Sequence, residues 1–344
     1  MSRRNFIQHL SRTNLLWVVG LLLCVLGVVF STMLLTPGTE VLYSDEVISP
    51  FWKPVRGFIP GEWLPVLIQF LLLVANAILF QFIVRRYELL LIVRRYELLR
   101  TLGVFTFFIY CFITAASIPL HCLIPGSFAA LFIGLAYFSI FESYRKENCN
   151  NQVFNASFLI VLAALFVPPL IFLLPLFWLA FNIVNTMNFK RWLVSLMGAL
   201  TVFWLLGGVL FLSDRLELIP AFFKACIQYG WVFSTELPTM GIVFFSMLFL
   251  LVMLAIVNYL RQVYSEKIGV RSAFSFLLIS LLVFVVSMVI FPAYTVDFFL
   301  LSIGPASVML SHYYGSEVNL FGRLALYVFL LTAVGNYLSF FFSF

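Results

Sequence analysis

Charge is what this chain has least of: only 10% of its 344 residues are charged, against 63% hydrophobic. An ordinary soluble surface needs roughly a quarter to a third of charged residues to stay solvated, so a soluble globular domain is excluded. The charges that exist all lie outside the long apolar runs. No ionisable group therefore sits in the central part of any run, and coupled ion transport normally needs one at membrane depth. Histidine and cysteine are scarce as well. His9, His121 and His312 are scattered, and Cys24, Cys111, Cys122, Cys149 and Cys226 show no paired metal-ligand spacing. His121 adjoins Cys122 but has no carboxylate nearby in sequence. Cys122 and Cys226 fall on the same side of the expected topology and read as free thiols rather than a bridge. A glycine-rich phosphate loop, a serine nucleophile elbow and an HExxH pair are all missing, which leaves soluble-type hydrolase or nucleotidase chemistry without residues to perform it.

What is present is a series of about eleven apolar runs, near 14 to 35, 64 to 84, 101 to 120, 127 to 141, 153 to 167, 170 to 187, 192 to 212, 239 to 260, 273 to 291, 298 to 313 and 324 to 343. Each is about long enough to cross roughly 30 Å of hydrocarbon as a helix. The expected fold is an all-α polytopic transmembrane bundle forming one integral membrane domain over residues 1–344, with no soluble domain. Of the 20 Lys and Arg residues, all but Lys53, Arg56, Arg215 and Lys224 fall in loops of one parity. Positive residues accumulate on the cytoplasmic side, so the expected topology is N-in and C-out. The net charge of +6 then faces anionic lipid headgroups, which makes membrane lipids the expected partner and gives no support to nucleic acid. The first run is too long for a signal-peptide core and reads as a retained anchor.

Local features punctuate the bundle. Phe82 to Leu90 reads FIVRRYELL and Leu91 to Leu99 reads LIVRRYELL. Nine residues turn a continuous helix through about 900°, so the two copies would face opposite ways; a tolerated duplication and an Arg contact to lipid phosphate are the two readings. Pro168 and Pro169 predict a tight turn. Gly304 and Pro305, flanked by Ser302 and Ser307, predict a kinked span. Asn76, Asn155, Asn182, Asn185 and Asn258 read as interhelical hydrogen-bonding points.

The two longest segments between runs, about 36–63 and 213–238, are where a site has room. The first carries Tyr43, Asp45 and Glu46, then Lys53, Arg56 and Glu62, among Pro50, Pro54 and Pro60. A carboxylate at the membrane surface is able to take a proton from an acceptor hydroxyl, and a nearby cation to hold a lipid-linked phosphate. This assigns Asp45 and Glu46 as candidate catalytic groups and Lys53, Arg56, Arg215 and Lys224 as candidate substrate-binding groups; the alternative is a solvated connector. In the second segment, Leu218 to Phe233 suits either a helix lying in the interface plane or an apolar loop.

Two resemblances rest on Phe154 to Leu206, FNASFLIVLAALFVPPLIFLLPLFWLAFNIVNTMNFKRWLVSLMGALTVFWLL, preceded by RRYELLR and an apolar span. The stretch resembles an uncharacterised family of integral membrane proteins of Bacteroidetes-type bacteria, which implies the bacterial inner membrane. Its order of span, proline turn, span, basic loop and span is also similar to the GT-C glycosyltransferases. That resemblance implies transfer of sugar from a polyprenyl-phosphate carrier at the outer leaflet, with Asp45 or Glu46 serving the reaction and Asp45 preferred. It leaves a divalent metal open, and no motif calls for another cofactor. Ile118 to Ser127 lacks the acidic pattern that GT-C enzymes carry in the second outer loop. The other functional expectations are a non-catalytic component of an envelope-assembly or export machine, which would have a membrane protein partner, and a carrier or flippase for a lipid or neutral solute.

Overall fold

A computed structural model describes residues 30, 49–59, 61, 63–91, 99–144, 146, 148–183, 188–227, 239–262, 268–315 and 320–342. Asp45, Glu46 and most of the first apolar run lie outside the described residues, as do 92–98 in the second copy of the nonapeptide. The described residues form helices joined by short turns, with no strand among them. Lipid offers backbone N–H and C=O groups no partner, so long apolar sequence satisfies them internally as helix.

The helices are α1 Trp52–Gly57, α2 Trp63–Leu91, α3 Leu99–Ala116, α4 Pro125–Glu142, α5 Asn150–Phe166, α6 Leu174–Ile183, α7 Phe189–Leu212, α8 Leu218–Cys226, α9 Thr239–Gln262, α10 Ile268–Ile290, α11 Thr295–Gly315 and α12 Leu320–Phe342. Apart from the short α1 and α8, they coincide with ten of the apolar runs. Among the described residues six stretches are long and apolar enough to cross a membrane: Trp63–Arg86, Pro125–Glu142, Phe189–Leu212, Thr239–Arg261, Ile268–Ile290 and Pro292–Tyr314. The run expected over 101 to 120 ends as α-helix at Ala116, because Pro119 turns the chain into the 3-10 turn Ile118–Leu120. The first nonapeptide copy extends α2 rather than forming a separate element.

Helix α4 begins with Pro125, whose fixed φ and missing N–H suit the first helical turn. The Asn188 side chain caps α7, accepting a hydrogen bond from the Arg191 N–H at 3.0 Å. Four helices, α2, α3, α4 and α11, pack on one another at the centre. Outside them α5 packs on α4 and α7 on α5, while α9 and α10 pack on α11, and α12 packs on α9 and α3. Burial is greatest in two of the central four: 67% of the α4 window and 78% of the α11 window are buried, against 28–33% for the other four long helices, α2 among them.

At the middle of α11, Gly304 lies directly against the Phe80 ring of α2, and a Cβ there would overlap that ring. Phe80 in turn stacks with Tyr110 at 6.2 Å and meets Tyr137 edge-on at 6.1 Å. The helix continues through Pro305, inside a wall of buried neighbours. Gly335 of α12 has open space where a Cβ would go. Gly304→Ala should therefore cost about 1–3 kcal/mol through overpacking, whereas Gly335→Ala should be neutral or stabilise by up to about 1 kcal/mol through helix propensity. Thermal unfolding in detergent checks the contrast.

Candidate functional site at the Pro168 end of the bundle

The chain reverses at Pro168, where Pro168–Leu173 forms a 3-10 segment between α5 and α6. Both segments singled out by the sequence dock at this end. The Ser49 hydroxyl donates to the Leu165 carbonyl at 2.5 Å, and the Trp52 N–H donates to the Ser49 carbonyl at 2.9 Å. Trp52 is 1% exposed, with its ring 5.9 Å from Phe128 and 6.3 Å from Phe166. Burying an aromatic of this size contributes a few kcal/mol, enough to hold a six-residue helix that would not persist alone.

The second segment arrives from α7. A left-handed Asp214, with φ 53°, closes that helix as the Arg215 N–H donates to Leu210 O at 2.9 Å, and α8 follows. Phe222, Ala225 and Cys226 form its buried stripe at helical spacing, while Phe223 and Lys224 face outward. The Cys226 thiol reaches the Pro168 carbonyl at 3.5 Å. The Phe222 ring lies 5.7 Å from that of Phe51, so the two segments meet over the proline turn.

All four candidate cations, Lys53, Arg56, Arg215 and Lys224, are exposed on these segments, together with Asp214 and Glu217. Exposed apolar residues accompany them: Phe58 and Trp63 beside α1, and Phe223 and Ile227 at α8. Cations beside exposed aromatics suit a membrane–water interface. The structure thus joins the segments that carry the four cations, but gathers none of the four into a buried pocket. The candidate carboxylates Asp45 and Glu46 lie outside the described residues, four and three positions before Ser49.

Beneath these segments lies a buried polar cluster in which the sequence had singled out Asn76 as a bonding point but not Asp297, Gln69, Ser127 or Asn336. Asp297, in the first turn of α11, is 0% exposed and accepts from the Gly126 N–H at 2.7 Å. A Cβ on residue 126 would come within 2.6 Å of the Asp297 carboxylate, so glycine permits this approach. Next to it the Ser127 hydroxyl donates to Gln69 Oε1 at 2.7 Å, and Gln69 Nε2 donates to the Leu120 carbonyl at 2.9 Å. Asn76 Nδ2 donates to Leu72 O at 2.9 Å and to Ser127 O at 3.3 Å. Asn336 Nδ2 donates to the Ala116 carbonyl at 2.9 Å, and His121 Nε2 lies 3.0 Å from the Ala115 carbonyl. Tyr294 is within electrostatic reach of both Asp297 and Cys226, which links the cluster to α8. The available signal was Asp297 itself, a lone acid opening an apolar run where a helix N-terminus favours negative charge.

Cys122 and Cys226 are both free thiols. Among the described residues no group of three His, Cys, Asp or Glu side chains is placed to hold a metal ion. Residues 65–341 match the sequence profile of a family described as a family of unknown function, DUF6427. No curated protein and no solved structure matches the chain.

Burial pushes the Cys226 thiol up from 9.0 to about 11. The folded state holds this proton longer than the unfolded chain, so the stability that Cys226 contributes is lost as pH rises through that window. Alkylation of Cys226 in the folded protein should stay slow below about pH 10, and become fast in denaturant at pH 8; mass spectrometry reads both. Replacing the buried acceptor by Asp297→Leu should cost about 1–3 kcal/mol by orphaning the Gly126 N–H. Asp297→Asn, which keeps an acceptor, should cost less, as read by thermal unfolding in detergent.

Proposed function

Since this chain belongs to the DUF6427 family of unknown function, we propose that it is a multi-pass protein of the bacterial cytoplasmic membrane that engages a phosphate-bearing, lipid-linked substrate at the outer leaflet. The topology proposed with it has about eleven spans, N-in and C-out, so the Pro168 end faces outward. One observation carries the reading. The segments bearing Lys53, Arg56, Arg215 and Lys224 are fixed together through Phe51 and Phe222, presenting cations and aromatics where lipid headgroups lie. Exposed guanidinium and ammonium groups there attract lipid phosphate.

In the catalytic form of this proposal the protein is a GT-C-like sugar transferase. Asp45, with Glu46 beside it, takes the acceptor proton, and the four cations hold the polyprenyl phosphate. In the non-catalytic form the same face docks the lipid-linked molecule for a partner in an envelope-assembly or export machine. The exposure of all four cations favours docking. A carrier needs open volume near the midplane, and the Phe80 ring already occupies the approach to Gly304.

A complementation assay in cells lacking the gene separates the forms. Lys53→Gln, Arg56→Gln, Arg215→Gln and Lys224→Gln combined should lower function at least tenfold with abundance unchanged. Asp45→Asn with Glu46→Gln should be nearly silent for docking, and should cost roughly a hundredfold for transfer. Full function in both combined variants would overturn the outer-face reading.

A further inference from the structure

At the opposite end of the bundle, α4 and α5 leave a groove of about 280 Å³ lined by Leu135, Phe138, Ser139, Asn155, Phe158 and Leu159. Asn155 was expected to bond between helices, yet it is exposed and its carboxamide has no hydrogen-bond partner among the described residues. It lies in the second turn of α5, about 7.5 Å along the axis from Asn150. An unpaired amide on a lipid-facing groove just below a charged rim favours an occupant that brings a hydrogen-bond acceptor to it.

The groove is ordered by polarity. Ser139 and Asn155 lie towards the Arg86 end, while Leu135 and Leu159 lie deeper. Phe138 forms the wall, and the Arg86 guanidinium sits 4.7 Å above its ring centroid. At the same rim Glu142 receives both Arg86, at 3.5 Å, and Lys146, at 3.0 Å. Two cations share one carboxylate, so these three groups together carry net positive charge and are able to take a further anion.

We infer that this groove holds one anionic glycerophospholipid. Its phosphate meets Arg86 and Lys146, an ester carbonyl accepts from Asn155, and one acyl chain runs along Phe158 towards Leu135 and Leu159. A groove of about 280 Å³ is on the scale of a single acyl segment. The alternating charge of the loops places this lipid in the inner leaflet. The inference does not depend on the proposed docking at the Pro168 end.

Native mass spectrometry of the full chain in detergent tests it, using phosphatidylglycerol and phosphatidylcholine of equal chain length. Wild type should retain one phosphatidylglycerol several-fold more than phosphatidylcholine. Lys146→Gln, at an exposed position, should abolish that preference, and Asn155→Leu should lower retention of both lipids at least fivefold while Asn155→Gln restores it. Equal retention of both lipids by wild type would overturn the inference, as would an unchanged preference in Lys146→Gln. A dimer that Asn155→Leu dissociates would instead identify a second copy as the occupant and overturn it as well. Variants at the four cations of the Pro168 end should leave all these readouts unchanged, so either proposal fails without the other.

Discussion

A stretch of irregular backbone buried at one end of the bundle sets the terms for the rest of the structure. Between α3 and α4 the chain leaves the helix at Ala116 and resumes it at Pro125, yet Ser117, Leu120, His121 and Ile124 are all buried. Backbone of this kind survives in a membrane only where protein groups replace the lost helical hydrogen bonds. Those groups come from three different helices. Gln69 of α2 serves the Leu120 carbonyl, Asn336 of α12 serves that of Ala116, and Asp297 of α11 receives the Gly126 N–H. A segment of ten residues thus requires helices distant in sequence to assemble around it. The polar side chains are placed where an apolar substitute would orphan a backbone group.

This requirement explains why the surface above is so well fixed. The tight approach of Gly126 to Asp297 seats α4 against α11, and Phe128, two residues further along α4, supplies one wall of the Trp52 pocket. Ser49 and Cys226 then reach the carbonyls of Leu165 and Pro168, acceptors at the chain reversal between α5 and α6. Buried hydrogen bonds below and aromatic packing above therefore act in series. The exposed cations belong to segments whose opposite faces are buried, so the backbone beneath them is held while their charged groups stay at the surface. That combination suits attraction to phosphate more than the fixed geometry of a closed catalytic pocket.

The sequence made the helices legible because apolar length decides them before any tertiary contact does. The run expected over 192 to 212 is helical from Phe189 to Leu212, and that over 239 to 260 from Thr239 to Gln262. The loop cations were legible as charges on two segments between apolar runs, and α8 as one of two readings of its segment, the interfacial helix. The buried cluster was not, because the Gly126 to Asp297 bond joins residues 171 positions apart. Asn155 and Asn76 looked alike in sequence. Asn76 finds Ser127 across a helix interface while Asn155 faces the groove, and only the rotation of each helix separates those outcomes.

The ranking of helices by burial runs opposite to that of a soluble protein. The α4 and α11 stretches have the lowest mean hydropathy of the six long ones, 1.4 and 1.5 against 2.1 to 2.9, and they are the most buried. Lipid is as apolar as leucine, so moving leucine from lipid to the interior gains little. Association instead depends on close approach at small residues and on hydrogen bonds between polar ones. Helix α11 shows both, with Gly304 against Phe80, Ser311 accepting from the Thr106 hydroxyl at 2.7 Å, and Asp297 at its start. Ser311, Gly304 and Asp297, which lower its hydropathy, are thus residues through which other helices meet it. The two least apolar of the six long stretches are the most buried, while the four more apolar ones bury a third or less of their windows.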